Sequence, residues 1–311
     1  MKLKKPLFWD YKKLSFFSFL LLPFTIFIYL KNFFYISNKK TNKKIKTICV
    51  GNIYLGGTGK TPFTIKLNEI LEKLNFKTAI IKKYYKDQKD EQKILGASGR
   101  LYLDNKRINA LKKATRDKNE VAIFDDGLQQ RSLYYDLTFV CFNAQKWIGN
   151  GFLLPAGPLR ESLTSLKNYK ATIITGNYEN NLHIKKQIKK CNPKIKIFEA
   201  NYVPINLNRL KKNKKFLIFS GIGNPDTFKK TLLLNKIKIA KSLVFPDHFQ
   251  YNNDDIKKIK KIAYKLKLKI LTTEKDYMRL SKTNKKGISF IKVKLTIKNE
   301  KELIKFLRIN L

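Results

Sequence analysis

The chain has 311 residues, with 66 Lys and Arg against 23 Asp and Glu for a formal net charge of +43, and 43% of its residues are hydrophobic. That length and apolar share exclude an intrinsically disordered chain and allow one large or two modest domains. The charge alone would suit a nucleic-acid binder. The lysines, however, are spread along the whole chain, and no aromatic-plus-basic recognition module stands among them. The basic surface is therefore expected to face anionic membrane lipids and not nucleic acid. Cys49, Cys141 and Cys191 are widely separated and form no CxxC. They read as reduced thiols, with no Cys/His metal site. Nothing in the pattern calls for an obligate protein partner.

Residues 14–30 (LSFFSFLLLPFTIFIYL) carry no charge. At 1.5 Å per residue they would make roughly 25 Å of helix, slightly short of a hydrocarbon core. No small-x-small site follows, which argues against a cleaved leader. Lysines flank both ends, Lys2, Lys4, Lys5, Lys12 and Lys13 before and Lys39, Lys40, Lys43 and Lys44 after. Both flanks then look cytoplasmic, which favours a helix dipping into one leaflet over a clean span. Pro23 would kink it, and Trp9 and Tyr11 would sit at headgroup level. The alternative is a buried core helix. Residues 1–36 are thus expected to form a membrane-anchoring helix, followed by a polar basic connector.

An apolar strand at 45–50 runs into Tyr54-Leu55-Gly56-Gly57-Thr58-Gly59-Lys60-Thr61, after which apolar residues recur at helical spacing from Phe63 to Leu74. Further buried strands are predicted at 78–81, 121–124, 137–142 and 171–175, with a polar stretch at 82–93. Residues 201–214 read as an irregular connection between domains. Beyond it come strands at 216–220, 242–245, 270–273 and 288–293, and helices at 228–234, after Asn252 or Asn253, and at 300–311. Strands alternating with helices make an α/β fold of mainly parallel strands. The expected architecture is a P-loop NTPase-type sheet flanked by helices at 45–205, a second, smaller α/β domain at 206–311, and the N-terminal membrane-associated helix.

Three constellations carry chemistry. Glycines at 56, 57 and 59 let backbone N–H groups turn toward phosphate oxygens at a helix N-terminus, while Lys60 reaches the β and γ phosphates and Thr61 offers its hydroxyl to magnesium. Asp125-Asp126 ends a buried strand, where P-loop enzymes need a carboxylate for Mg2+; without the upstream loop an Asp pair there would read as a turn or cap. No Asn-Lys-x-Asp is present, so ATP is preferred over GTP. His248 follows Phe245-Pro246-Asp247 at a strand end. An imidazole there could accept a hydroxyl proton, although by residue type alone a lone His is more often structural.

Taken together, Lys5-Pro6 and Trp9, Gly51-Asn52 with Gly56–Pro62, Asp125-Asp126-Gly127-Leu128-Gln129, LPAGPLRE at 154–161, Phe219–Gly223 with Asn224-Pro225, Phe245–His248 and LTTEKD at 271–276 resemble the tetraacyldisaccharide 4'-kinase family, in family order across nearly the whole chain. The family loop itself lacks the early glycine, which accounts for Tyr54. The resemblance implies an ATP- and Mg2+-dependent kinase acting on the 4'-hydroxyl of an acylated glucosamine disaccharide 1-phosphate in lipid A biosynthesis. It would work peripherally or monotopically at the cytoplasmic face of the inner membrane, with the second domain closing over the nucleotide.

The resemblance further implies that Asp90 pairs with His248 to activate the hydroxyl and that Glu91 lies near the metal. Asp87 competes with Asp90 for that role. Gln129, Arg160 and Glu161 are assigned to the substrate or cleft. This chain departs from the family at Lys82-Lys83-Tyr84-Tyr85-Lys86, where Ser-Arg-Gly-Tyr-Gly is usual, and at Gln130, where His is usual. A membrane-bound P-loop ATPase or GTPase switch, and a non-enzymatic polyanion binder, are the competing readings.

Overall fold

The computed structural model of the chain describes residues 6–11, 15–34, 44–86, 88–130, 132–176, 181–210 and 214–311. They fall into two compact units: Lys5–Tyr85, Leu95–Asn201 and Thr296–Leu311 form the first, and Lys86–Ile94 with Tyr202–Leu295 the second.

The first unit begins with a 3-10 turn at Leu7–Asp10, then α1 (Phe16–Leu21), a 3-10 turn at Leu22–Phe24 and α2 (Thr25–Phe34). Pro23 sits in the second turn, where its missing N–H and its ring interrupt the helical ladder. The segment is not a core helix. Phe16 is 75% and Phe27 68% exposed, and Phe17, Phe19 and Leu20 are exposed beside them. No helix among the described residues is long and apolar enough to cross a membrane. Of the flanking lysines only Lys44 lies within the described residues. Trp9 ties the start of the segment down: its indole Nε1 donates to the Pro155 carbonyl at 3.0 Å, and its own carbonyl accepts from Asn150 N at 2.9 Å. Gly149 makes this approach possible, because a Cβ there would stand 2.3 Å from the Trp9 carbonyl.

Beyond it come β1 (Lys46–Gly51), α3 (Lys60–Lys73), β2 (Thr78–Lys83), α4 (Lys89–Gly96), β3 (Leu101–Asp104), α5 (Arg107–Arg116), β4 (Val121–Asp125), β5 (Leu137–Asn143), β6 (Ala171–Thr175), α6 (Leu182–Cys191) and β7 (Lys196–Pro204). Strands β1, β2, β4 and β6 are buried almost end to end, as parallel strands covered on both faces must be. β1 lies between β4 and β5, in parallel register with both. The outward order is β4, β2, β3 on one side and β5, β6, β7 on the other. The crevice at the carboxyl end of β1 is where such a sheet holds its ligand.

The second unit carries β8 (Lys215–Ser220), α7 (Pro225–Leu234), β9 (Lys238–Val244), α8 (Asn253–Lys265), β10 (Lys269–Thr273), α9 (Glu274–Arg279) and β11 (Ile288–Ile291). Its four parallel strands run in the order β11, β10, β8, β9. Alternation along β8 divides its core, with Leu217 and Phe219 joining Ile256 and Ile259 of α8, and Phe216 and Ile218 joining Phe228 and Leu232 of α7. The chain then passes through β12 (Val293–Ile297), which pairs beside β7, into α10 (Glu300–Asn310).

The partition differs from the expected boundaries in two places. Residues 296–311 belong to the first unit: Phe306 meets Phe139 edge-on and packs tilted against Phe198, and Glu300 pairs with Lys66 at 2.8 Å. Residues 86–94, expected inside the P-loop domain, belong to the second. The irregular connection expected from 201 is still strand as far as Pro204, and the 288–293 run is two strands, β11 and β12.

Candidate functional site

The glycine-rich turn links β1 to α3. Gly59, at φ 89°, is the left-handed residue from which α3 starts, and Gly56 has φ 140°. Neither conformation suits a side chain. Asn52, fully buried, braces the turn from inside: its Nδ2 donates to the Tyr54 carbonyl at 2.5 Å and to Thr58 Oγ1 at 3.0 Å. The LPAGPLRE segment lines its other side, with Leu55 N on the Pro158 carbonyl and Arg160 N on the Ile53 carbonyl. The Tyr54 hydroxyl donates to Asp10 at 3.1 Å, joining the turn to the N-terminal segment.

Asp125 and Asp126 stand at the end of β4, beside β1. Thr61 Oγ1 donates to Asp125 Oδ2 at 3.3 Å, and Lys60 Nζ is 3.6 Å from Asp126 Oδ1. Arg160 reaches Asp126 Oδ1 at 3.4 Å, and Arg107 donates to the Asp126 carbonyl. Burial would raise the Asp126 carboxyl, but the charges of Lys60, Arg160, Lys82 and Arg107 outweigh it and hold the group below its ordinary range. Gln129 joins Arg160 to Glu161, whose second oxygen accepts from Tyr169 at 2.7 Å. Glu161 is buried, and both of its oxygens are taken by neutral donors, so it braces this wall.

The sequence reading did not assign Lys82 to this group. Its ammonium lies 2.7 Å from Asp125 Oδ2, and both side chains are buried. Lys82 is the residue of β2 in register with Asp125. Asp125 Oδ1 is buried and has no hydrogen-bond partner. With the Thr61 hydroxyl and Asp126 it offers hard oxygens of the kind magnesium takes. Among the described residues no three His, Cys, Asp or Glu side chains cluster as a self-sufficient metal site. A metal bound chiefly through nucleotide phosphates needs no such cluster.

A second group lies within the other unit. Asp90, near the start of α4, is buried, and His248 stands in the turn after β9. His248 Nδ1 is 3.8 Å from Asp90 Oδ1. Burial raises the Asp90 carboxyl, while the His248 imidazole and the Arg279 and Lys275 charges lower it, and the balance is about 2. Glu91 is ion-paired with Lys275. Asp87, the competitor of Asp90, lies outside the described residues. Sequence reasoning missed Arg279, which the LTTEKD motif could have flagged, since it lies one helical turn beyond Asp276.

The family model for tetraacyldisaccharide-1-P 4'-kinase (LpxK) matches residues 14–311. The chain is 51% identical over 311 residues to the tetraacyldisaccharide 4'-kinase of Pelagibacter ubique (strain HTCC1062), covering 100% of this chain and 99% of that protein. It is 31% identical to the protein of the same name from Rickettsia akari (strain Hartford), over 96% and 95% of the two chains. Its fold is similar to that of LpxK from Aquifex aeolicus in complex with ATP, with a TM-score of 0.68 and 22% identity over 94% and 99% of the two chains.

Proposed function

The chain belongs to the tetraacyldisaccharide-1-P 4'-kinase family, and from that membership we propose that it transfers the γ-phosphoryl group of ATP to the 4'-hydroxyl of an acylated glucosamine disaccharide 1-phosphate. The observation that carries this reading is the meeting of Lys60 and Thr61 with Asp126 and Asp125 at the carboxyl end of the central parallel strands. Backbone N–H groups of the turn and the start of α3 bind phosphate oxygens, and Lys60 holds the β and γ phosphates. Thr61, Asp125 and Asp126 would hold Mg2+, which supplies charge neutralisation on the transferred group.

Asp90 orients the His248 imidazole through Nδ1, so that Nε2 accepts the proton of the acceptor hydroxyl. The rest of the rate comes from positioning and fixed charge. Detergent-solubilised protein given γ-labelled ATP, Mg2+ and the tetraacyl disaccharide 1-phosphate should move label onto the lipid. Label released only as inorganic phosphate would make a nucleotide switch the better reading.

We further place the chain peripherally or monotopically at the cytoplasmic face of the inner membrane. The exposed Phe16, Phe17, Phe19, Leu20 and Phe27 support this placement, as does the basic surface, which anionic lipids attract. Burying one phenyl side chain contributes about 1.5–3 kcal/mol. Replacing Phe16, Phe17 and Phe19 together by Ser should therefore lower partition into phosphatidylglycerol-containing vesicles by at least about 10³-fold. Unchanged flotation of the triple variant would remove the segment from membrane attachment.

A further inference from the structure

We propose that Arg279 is the positioning residue of the acceptor-activating pair: it clamps one oxygen of Asp90 and leaves the other to the imidazole of His248. This rests on the reading that Asp90 and His248 serve the acceptor hydroxyl.

Arg279 ends α9 and is 2% exposed in its side chain. Its Nε and Nη2 both donate to Asp90 Oδ2, at 3.1 and 2.6 Å. Neither touches Oδ1, which is buried, has no hydrogen-bond partner and lies 3.8 Å from His248 Nδ1. A carboxylate with both oxygens in an arginine fork would share its lone pairs between the guanidinium and an imidazole. Here the fork closes on a single oxygen.

The same guanidinium also fixes the loop that carries the histidine. Nη1 donates to the Gly221 carbonyl at 2.6 Å, and that carbonyl accepts from His248 N at 3.1 Å as well. His248 has φ +57°, a conformation that needs such support. Space at Gly221 is tight, since a Cβ there would lie 3.0 Å from both the Pro246 carbonyl and the Tyr251 hydroxyl.

Asp276 anchors the arginine from behind. It is fully buried and accepts from Arg279 Nη1 at 2.9 Å, from Gly221 N and Tyr251 OH at 3.0 Å each, and from Thr273 Oγ1 at 2.6 Å. One planar cation therefore connects α4, the turn after β8, the turn after β9 and α9, all within the second unit. It aligns the carboxylate with the imidazole.

The test is a cycle of kcat values on the full-length, detergent-solubilised protein with Asp90→Asn, Arg279→Lys and the double variant. Lysine keeps the buried charge but cannot form the fork. Arg279→Gln, which keeps hydrogen-bond donors without the charge, is the second variant. Misalignment on the ångström scale predicts a fall in kcat of about 10²-fold for Arg279→Lys, with KM for ATP unchanged. Because the residue acts mainly through Asp90, adding Arg279→Lys to Asp90→Asn should then cost clearly less than Arg279→Lys does alone.

Costs that multiply in full in the double variant overturn the proposal. So does a fall in kcat for both Arg279 variants that matches only their loss of folded protein by thermal melting. If Asp90→Asn alone keeps wild-type kcat, the pair reading itself fails and takes this proposal with it.

Discussion

Lys60→Ala is expected to lower kcat about 10²- to 10³-fold, the usual cost of removing one preorganised donor from a transition state. The side chain is placed for charge and adds little to stability. Its ammonium is 3.6 Å from Asp126, and both side chains keep some solvent exposure. Arg160 remains on the same oxygen once Lys60 is gone, so Asp126 is not left alone. The fold should therefore change in stability by no more than about 1 kcal/mol. Label transfer to lipid, together with thermal melting, checks both halves. A variant that melts like the wild type yet transfers at the wild-type rate would remove Lys60 from phosphate binding.

His248→Ala is expected to lose about 10²- to 10⁴-fold in kcat, the range for one general base, with nucleotide affinity preserved. The separation follows from where the groups sit, since Lys60, Thr61, Asp125 and Asp126 belong to the first unit and His248 with Asp90 to the second. His248→Asn is the companion variant, because Asn tolerates the left-handed backbone at φ +57° and removes only the imidazole. Equal losses in both variants, with ATP binding intact in equilibrium dialysis, are the expected result. A wild-type rate in His248→Asn would show that the imidazole takes no part in the chemistry.

The glycine-rich turn and the Asp125-Asp126 pair were legible because each occupies a short run at the end of a buried strand, whereas His248 follows β9, which is largely exposed, and stood out only by its residue type and the Phe245-Pro246-Asp247 run before it. Pro23 likewise announced the break between α1 and α2. Groups assembled by the fold from distant runs were not legible. Lys82 meets Asp125 only because β2 lies beside β4 in the sheet, an adjacency that chain order does not reveal. Arg279 and Asp90 are 189 residues apart.

The start of α4 reads in sequence only as a polar stretch, because Lys89-Asp90-Glu91-Gln92-Lys93 carries no apolar residue on which a period could be counted. The expected boundary at 206–311 took neighbours in sequence for neighbours in space. α10 instead buries Leu303 and Leu307 in the first unit.

The central claim is phosphoryl transfer to the 4' position, and 31P NMR of the lipid recovered after incubation with ATP and Mg2+ tests it most directly. The account predicts a second phosphomonoester signal beside that of the 1-phosphate, coupled to the proton at the 4' carbon and absent when Lys60→Ala replaces the wild type. A lipid spectrum that keeps the 1-phosphate signal alone, while ATP is consumed, would contradict it.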